Sequence, residues 1–255
     1  MISKNKLKYI KSLQLKKFRK QENAFLIEGA KSILELLNSD FKIHSLFLTD
    51  EFFNCYNAQI NQHDIEVTLC SEKELADAGT FTSNNAGIAI ANIKPNKMII
   101  PGKDEYILML DEIKDPGNLG TIIRIADWYG IDKIVCSENT TDLYSPKVIA
   151  ATMGSFTRVS LYYCDLKNYL SMQKTYTYGA ILGGKNLYDV QFREEGIIII
   201  GNESKGIDSE LTSLLQESVA IPSFGQAESL NAGIATAVIL DNLKRQQHLS
   251  SKKDF

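Results

Sequence analysis

The sequence predicts an α/β protein of two domains, the second of which is built on a mostly parallel sheet. After residue 105, short segments of nearly continuous apolar character alternate with segments of helical periodicity. Apolar runs of that kind are typical of parallel strands covered on both faces, and a repeating β-α order joins such strands. Two prolines, a glycine and several charges concentrate at 94–105, which marks a break in the chain. We therefore predict a first domain over 1–95, a linker over 96–104 and a second domain over 105–255.

Periodicity also predicts the individual elements. In the first domain it predicts a helix over 30–37 and strands at 43–49, 65–69 and 86–91. In the second domain it predicts strands at 106–111, 133–137, 158–164, 178–182 and 197–201. Helices are predicted over 117–130 and 229–248, and the basic last turn of the second helix suits the helix dipole.

Charge is distributed unevenly along the chain. Residues 1–21 carry eight basic side chains and no acidic one, which leaves 20 basic and 31 acidic groups, a net charge of −11, for the remainder. A basic arm on an acidic body indicates contact with a polyanion through a local patch. The candidate contacts are Lys16, Lys17, Arg19 and Lys20. A solvated, partly frayed N-terminal tail explains the same pattern equally well.

Cysteines and histidines are too scattered for a metal site. Cys55, Cys70, Cys136 and Cys164 form no CxxC pair, and the three histidines are equally dispersed. This pattern predicts reduced, mostly buried thiols in a cytoplasmic protein, without a disulfide framework or a zinc site. The apolar runs also stay far below the roughly 20 residues that a membrane-spanning helix needs. We therefore expect neither a metal nor a membrane as a partner.

One glycine-rich segment, GAILGGKN at 179–186, nearly matches the nucleotide phosphate loop GxxxxGK[ST]. It ends in Asn186, where that loop needs a hydroxyl for magnesium, and the residues that follow make a poor helix. A Rossmann GxGxxG is absent as well. We therefore expect neither an NTPase nor a nicotinamide enzyme.

A second segment, DPGNLGTIIRIADWYG at 115–130, follows a predicted buried strand and opens a helix. Its proline and glycines form the turn, Asn118 is the predicted N-cap, and Arg124 follows within two helical turns. An anion would bind near that end of the helix. Taken alone, the segment also fits a capped helix with a surface arginine.

Two further segments carry polar residues at the ends of predicted strands. IGNESKGI (200–207) has Glu203 between two glycines at a strand-to-helix turn, where Gly201 would let the backbone approach a ligand. We expect Gly201→Val to lose that ligand while the protein stays folded.

The segment IPSFGQAESLNAGIA (221–235) enters the last predicted helix. Ser229 is the predicted cap of that helix, and Asn231 needs a polar partner. Ligands of open α/β sheets lie outside the carboxyl ends of strands, so these segments predict one site.

In order and spacing, the last three segments resemble the three motifs of the SpoU (TrmH-like) family of RNA 2′-O-ribose methyltransferases. The matching patterns are NxGxxxRxxxxxG, GxExxGI and IPxxGxxxSLNxxxA. Arg19 and FLIEG at 25–29 are similar to the family's ribosomal-protein-like (L30e-like) substrate-binding domain. The resemblance implies a SPOUT methyltransferase domain with a deep trefoil knot within about residues 180–250. It also implies S-adenosylmethionine as the cofactor, ribosomal or transfer RNA as the substrate, and a homodimer.

The resemblance also implies roles for individual residues. Arg124 matches the catalytic arginine. The polar residues that match others lining the same site are Asn118, Glu203, Ser229 and Asn231. The residues expected to hold the cofactor, largely by their backbone, are Leu182, Gly183, Gly201, Ile221 and Leu230. The sequence departs from relatives at AATMGS (150–155), where they often carry an arginine and a serine, and at Gly233, where they carry a larger residue. The first departure bears on an RNA-phosphate contact and the second on packing.

Methyl transfer to a ribose requires the hydroxyl proton to leave. The motifs contain no histidine, and a guanidinium is a poor base because it stays protonated far above neutral pH. Arg124 is therefore either the base or a clamp that binds phosphate and lowers the pKa of the hydroxyl; Glu203 is a further candidate base. No metal is needed, because the leaving group is a neutral thioether.

Ribosomal RNA is favoured over transfer RNA as the substrate. The alternative functions are a non-catalytic RNA-binding relative and a methyltransferase of small molecules.

Overall fold

A four-stranded sheet and a six-stranded sheet form the centres of two units in the computed structural model, which describes residues 1–251. The elements in chain order are α1 (Lys4–Ser12), α2 (Lys16–Glu22), β1 (Ala24–Glu28), α3 (Ala30–Leu37), β2 (Ile43–Leu48), α4 (Asp50–Ile60), β3 (Glu66–Leu69), α5 (Glu72–Ala78), β4 (Gly87–Asn92), β5 (Tyr106–Leu110), α6 (Pro116–Trp128), β6 (Lys133–Ser137), α7 (Pro146–Thr152), β7 (Ser160–Cys164), α8 (Leu166–Ser171), β8 (Thr177–Asn186), β9 (Gly196–Ile200), α9 (Ser209–Thr212), β10 (Glu217–Ala220) and α10 (Ala232–Ser251). Single 3₁₀ turns lie at Ser155–Thr157 and Leu187–Asp189.

The first unit comprises Met1–Pro95 and Asp142–Arg158. Its strands lie in the order β1-β4-β2-β3, in which β4 is antiparallel to both neighbours and β2 is parallel to β3. The predicted helix at 30–37 is confirmed as α3, and the three predicted strands are confirmed as β2, β3 and β4. The unit also contains residues 142–158, which the predicted boundaries assign to the second domain.

The basic N-terminal segment of this unit is folded into two helices and is not a frayed tail. Ser3 caps α1, since its Oγ accepts a hydrogen bond from the Lys6 N–H at 3.3 Å. Ile10 and Leu13 are fully buried in the core that Leu26 of β1 also joins. Burial of these apolar side chains fixes a segment whose lysines alone would repel one another.

An aromatic cluster joins residues 142–158 to the rest of the first unit. The ring of Phe156 packs edge-on against Phe25 of β1 and Phe41, with centroids 6.0 Å and 5.6 Å away. Tyr144 lies 4.7 Å from Phe25, and its hydroxyl accepts a hydrogen bond from the Lys94 N–H at 3.1 Å. The core of the first unit is therefore completed by residues that follow β6 in the sequence.

The second unit comprises Asn96–Thr141 and the described residues from Val159 onward. Its strands lie in the order β10-β8-β9-β5-β6-β7, and all neighbours are parallel. Every residue of β5 and β9 is buried, as the continuous apolar runs predicted. The predicted strands are confirmed, although β8 is longer than expected and runs to Asn186. The glycine-rich segment at 179–186 therefore belongs to a strand and is followed by a single 3₁₀ turn, not by an α-helix.

Helices α6 and α10 of this unit pack closely together. A Cβ at Gly233 would lie 3.0 Å from Thr121 Cγ2, so glycine permits the approach of the two helices. The departure at Gly233 thus bears on packing, as expected.

Among the cysteines, Cys70 and Cys136 are buried as predicted, whereas Cys55 is exposed. Within residues 1–251, no helix is long and apolar enough to span a membrane, and no group of acidic, histidine and cysteine side chains is arranged to hold a metal ion.

Candidate active site

Helix α6 begins one turn earlier than the predicted cap. Asp115 is the N-cap, and its Oδ1 accepts a hydrogen bond from the Asn118 N–H at 2.8 Å. Pro116 takes the first helical position, where its missing N–H and its fixed φ suit the helix. The prediction that Asn118 caps the helix was wrong, because the Asp-Pro pair supplies the stronger start signal. The Asn118 side chain is thereby left free to contact other elements.

Asn118 joins the three sequence motifs. Its Nδ2 donates a hydrogen bond to Glu203 Oε1 at 2.6 Å, and its Oδ1 accepts one from Asn231 Nδ2 at 2.7 Å. Because one amide end donates to the carboxylate and the other accepts from an amide, the orientation of Asn118 is fixed by its partners. The three polar side chains form a chain that we call the Asn118–Glu203–Asn231 network.

Asn231 also caps the last helix. Its Oδ1 accepts hydrogen bonds from the Gly233 N–H at 2.9 Å and the Ile234 N–H at 3.3 Å, immediately before α10 begins. The prediction that Ser229 is the cap was wrong; Ser229 lies two residues earlier and is exposed. The expected polar partner of Asn231 is confirmed as Asn118.

Residues 201–206 form a closed turn after β9. The backbones of Asn202 and Gly206 exchange hydrogen bonds of 3.0 Å and 2.9 Å. Asn202 Oδ1 accepts further hydrogen bonds from the Ser204 and Lys205 N–H groups. The next helix is α9, so the prediction that the strand turns directly into a helix was wrong. Glu203 lies at the tip of this turn, where Asn118 reaches it.

Gly201 is required by this turn itself. A Cβ at position 201 would lie 2.2 Å from the Gly206 carbonyl carbon and 2.3 Å from the Ile207 nitrogen. Such contacts with backbone atoms force the loop to move. Gly201→Val therefore distorts this turn directly, so a loss of ligand in that variant would not separate cofactor binding from local structure. Cofactor binding has to be tested at another position.

Arg124 lies on the exposed side of α6, six residues after Asn118. Helical geometry puts it within about 60° of Thr121 and Trp128 around the axis. Among the described residues, none forms a hydrogen bond or an ion pair with its guanidinium. Trp128, the single tryptophan, is 84% exposed on this side of the helix. The arginine is therefore free to bind an anion from solvent.

Four of the five residues expected to hold the cofactor lie in the second half of, or directly after, three neighbouring strands. The pairing of β8 with β10 jumps from Gly179 to Lys185 between two consecutive residues of β10, so residues 180–184 leave the ladder. Leu182 in this bulge is 74% exposed, and Gly183 has a φ of +81°, which favours glycine. Gly201 follows β9 and Ile221 follows β10, the strands on either side of β8. Leu230 lies in the loop before α10 and is exposed.

A separate polar crevice of about 500 Å³ lies at the carboxyl ends of β5, β6 and β7 and the turn after β9. Acidic side chains dominate its lining, including Asp111, Glu138 and Asp165. Burial raises the pKa of the Asp111 carboxyl, whose Oδ2 accepts a hydrogen bond from the Asp208 N–H at 2.8 Å. An acidic lining disfavours RNA and other anions, so this crevice is not the expected site.

In the first unit, the four predicted polyanion contacts divide into two kinds. Lys16, Lys17 and Lys20 of α2 are exposed, as that role requires. Arg19 is buried, and its guanidinium is bound to Asp142 and to two backbone carbonyls. The prediction that Arg19 contacts a polyanion was therefore wrong, because its charge is already paired inside the unit.

A parallel sheet that presents a polar network, a free arginine and an irregular strand at its carboxyl edge is that of a ligand-binding α/β enzyme domain. The model of the SpoU rRNA methylase family matches residues 105–241, and that of the MRM3-like substrate-binding domain matches residues 4–89. The chain belongs to the SpoU rRNA methylase family.

Individual relatives agree with this assignment. The 23S rRNA (guanosine(2553)-2′-O)-methyltransferase RlmP of Bacillus subtilis is 30% identical over 243 residues, which cover 94% of this chain and 96% of the relative. The AdoMet-bound rRNA methyltransferase of Sinorhizobium meliloti is 28% identical with a TM-score of 0.86, covering 96% of this chain and 97% of that one. The SpoU methyltransferase AviRb of Streptomyces viridochromogenes, at 21% identity and a TM-score of 0.86, covers 96% of this chain and 98% of its own. At that identity AviRb supports the fold alone.

Proposed function

We propose that this protein transfers the methyl group of S-adenosylmethionine to a ribose 2′-hydroxyl of ribosomal RNA. The observation that carries the proposal is the free guanidinium of Arg124 on the helix whose first turn holds the Asn118–Glu203–Asn231 network. Ribosomal RNA is favoured over transfer RNA because the Bacillus subtilis relative is named for 23S rRNA. The exposed lysines of α2 support RNA over a small molecule as the substrate.

The cofactor-binding region suits S-adenosylmethionine. Leu182 and Leu230 expose apolar side chains that a nucleobase would cover, and the bulge at 180–184 frees backbone groups from the β-ladder. When bound, the cofactor supplies a methyl group on a positively charged sulfur. The residues proposed to hold it are Leu182, Gly183, Gly201, Ile221 and Leu230.

Arg124 acts on the RNA in this proposal. Its planar fork donates to a phosphate oxygen and to the oxygen of the ribose hydroxyl. As that oxygen bonds to the methyl carbon, its proton passes to solvent water, and the charge of Arg124 stabilises the developing oxyanion. Glu203 and Asn231 hold the Asn118 amide in one orientation at the start of the same helix. Because Glu203 Oε1 accepts from Asn118 at 2.6 Å, we assign Glu203 to positioning. Ser229, exposed just before α10, is proposed to contact the substrate or cofactor.

The proposal is tested by the chemistry of the product. Purified protein, labelled S-adenosylmethionine and ribosomal RNA should give label in dinucleotides that resist alkali, since a 2′-O-methyl group removes the hydroxyl that alkaline cleavage needs. Label in alkali-labile nucleotides would indicate base methylation and contradict the proposal. No transfer to RNA, together with transfer to small metabolites, would favour the small-molecule alternative.

Cofactor binding can be tested at Leu182, which is 74% exposed. We expect Leu182→Asp to stay folded and to weaken S-adenosylmethionine binding at least about tenfold, because a charge replaces apolar surface that the ligand buries. Calorimetric titration measures the affinity. Met172→Asp, at an exposed methionine with no proposed role, serves as the control and should bind as the wild type does. Wild-type affinity of folded Leu182→Asp would contradict the assignment of this bulge.

Three further features are part of the proposal: a homodimer, a trefoil knot within about residues 180–250 and action in the cytoplasm. The dimer is supported by exposed apolar side chains on the adjacent helices α6 and α10, among them Trp128 and Ile234. Beside them lies a shallow groove of about 740 Å³ that Tyr129, Tyr188 and Val238 help to line. A second copy of the chain would cover this surface.

Light scattering of active protein should therefore give twice the 28.5 kDa of one chain. Trp128→Glu should lower the mass toward that of one chain, because it places a charge in the proposed interface. Met98→Glu, at an exposed methionine away from these helices in the sequence, should leave the mass unchanged. A single-chain mass for active wild-type enzyme would rule out the dimer.

A further inference from the structure

Arg19 is enclosed by its own unit. It is 3% exposed, and its Nη2 donates a hydrogen bond to Asp142 Oδ2 at 2.6 Å. Its Nη1 donates to the carbonyls of Leu13 at 3.0 Å and Gln14 at 2.9 Å. One guanidinium thus binds the turn between α1 and α2 and, at the same time, the first residue of the 142–158 segment.

Helix α2 depends on this arginine for its placement. Arg19 is the one buried residue among the seven of α2, and the helix has no side-chain cap. The lysines on either side of it, Lys16, Lys17 and Lys20, are exposed. The direction in which these lysines point is therefore set by how Arg19 is held.

Stability alone is a poor explanation for an arginine at this position. Among the described residues, its Nε is the one buried side-chain nitrogen or oxygen without a hydrogen-bond partner. A buried donor left unpaired is unfavourable, and apolar residues often replace buried ion pairs without loss of stability. What an apolar residue lacks is the planar fork, which binds three acceptors in a fixed geometry. The arginine is better explained by that geometry.

Asp142, the acidic partner of Arg19, begins a segment of the first unit that lies between two strands of the second unit in sequence. The chain leaves the parallel sheet after β6, enters the first unit as residues 142–158 and returns to the sheet at β7. The Arg19–Asp142 pair therefore ties the lysine-bearing helix to a segment that is continuous, in both directions, with strands of the catalytic sheet.

We propose that Arg19 and Asp142 are a positioning pair, which orients the lysines of α2 for RNA without touching RNA. The inference rests on the proposed function, in which Lys16, Lys17 and Lys20 bind the RNA backbone. Loss of the pair frees α2 from the 142–158 segment, so the three lysines no longer present a fixed row of charge. Binding of RNA then weakens, while the chemistry at Arg124 is unaffected once RNA is saturating.

Asp142→Ala separates positioning from simple electrostatics. The variant removes a negative charge, so long-range attraction alone would tighten RNA binding. Positioning predicts the opposite, an increase in the KM for RNA of at least about tenfold. The slope of the logarithm of RNA affinity against the logarithm of salt concentration should also become shallower, by about 2 to 3. The rate at saturating RNA and the affinity for S-adenosylmethionine should stay within about threefold of the wild type. Asp142→Asn, which keeps an oxygen acceptor for Nη2, should restore much of the binding.

Two further variants complete the experiment. Arg19→Met should raise the KM for RNA as Asp142→Ala does, whereas Lys20→Met removes the same charge from the exposed face and should lower the salt slope by only about one. Wild-type or tighter RNA binding by folded Asp142→Ala would overturn the positioning role. If Arg19→Met fails to fold, the Asp142 variants still decide the question.

Failure of the proposed function gives a different result. The triple variant Lys16→Met, Lys17→Met, Lys20→Met tests whether these lysines bind RNA at all. An unchanged KM in that variant would overturn the RNA role of α2, and the positioning role with it. A raised KM in the triple variant, together with unchanged binding in Asp142→Ala, would overturn the positioning role alone.

Discussion

Replacing Arg124 with alanine should lower the single-turnover rate of methyl transfer at least about 100-fold, since a group that stabilises developing charge is lost. The fold should not change, because the guanidinium is exposed and has no partner among the described residues. We expect the free energy of unfolding to stay within about 0.5 kcal/mol of the wild type. Binding of S-adenosylmethionine should also be unchanged. Near-wild-type activity of Arg124→Ala would overturn the catalytic assignment.

Arg124→Lys separates the two roles open to this residue. If the guanidinium clamps phosphate and polarises the hydroxyl, lysine keeps the charge, loses the fork and retains part of the rate at all pH values. If the residue removes the proton, the rate of the lysine variant should rise steeply toward the ordinary lysine pKa of about 10.4. Single-turnover rates from about pH 6 to 10 measure the difference. A flat profile would exclude the base role.

The second large effect is on stability. Phe156→Ala should lower the free energy of unfolding by about 3–5 kcal/mol, because it leaves a cavity where a fully packed ring was removed. Phe156 is 2% exposed and packs against Phe25 and Phe41. Phe224→Ala is the matched control: that ring is 89% exposed, and its loss should change stability by no more than about 0.5 kcal/mol. Denaturant titration gives both values.

Hydrogen exchange locates the effect of Phe156→Ala. Faster exchange is expected in β1 and α3, which belong to the first unit, although Phe156 lies between two strands of the second unit in sequence. Faster exchange confined to β6 and β7 would contradict the division into units. For the same reason, a fragment of residues 1–95 should fold poorly, since it lacks Tyr144 and Phe156.

The predicted elements and the motif residues could be obtained from local pattern because their causes are local. Strands such as β5 and β9 are apolar at every position since both faces of a parallel sheet are covered. Helix α3 was predicted from apolar spacing over about the residues that form it. The polar partner that Asn231 needs was predicted from its chemistry, and the structure identifies it as Asn118.

The cap residues show where local pattern was insufficient. Asn118 and Ser229 were each predicted to cap a helix, yet Asp115 and Asn231 do so. Each segment offered two residues of capping type, and only the backbone geometry decides between them. Gly201 is similar: its need for glycine was predicted, but the atoms that require it belong to the turn at Gly206 and Ile207.

By itself, the sequence determined the α/β class, the parallel sheet, the family motifs and the candidate residues for the chemistry, because each depends on residue type at short spacing. Only the tertiary structure showed that Arg19 is buried in an ion pair and that residues 142–158 belong to the first unit. A lysine and an arginine in a basic run look alike in sequence, and what separates Arg19 from Lys20 is an acid 123 residues away. Burial of a charge depends on a partner that folding supplies from a distant part of the chain, and no local pattern records it.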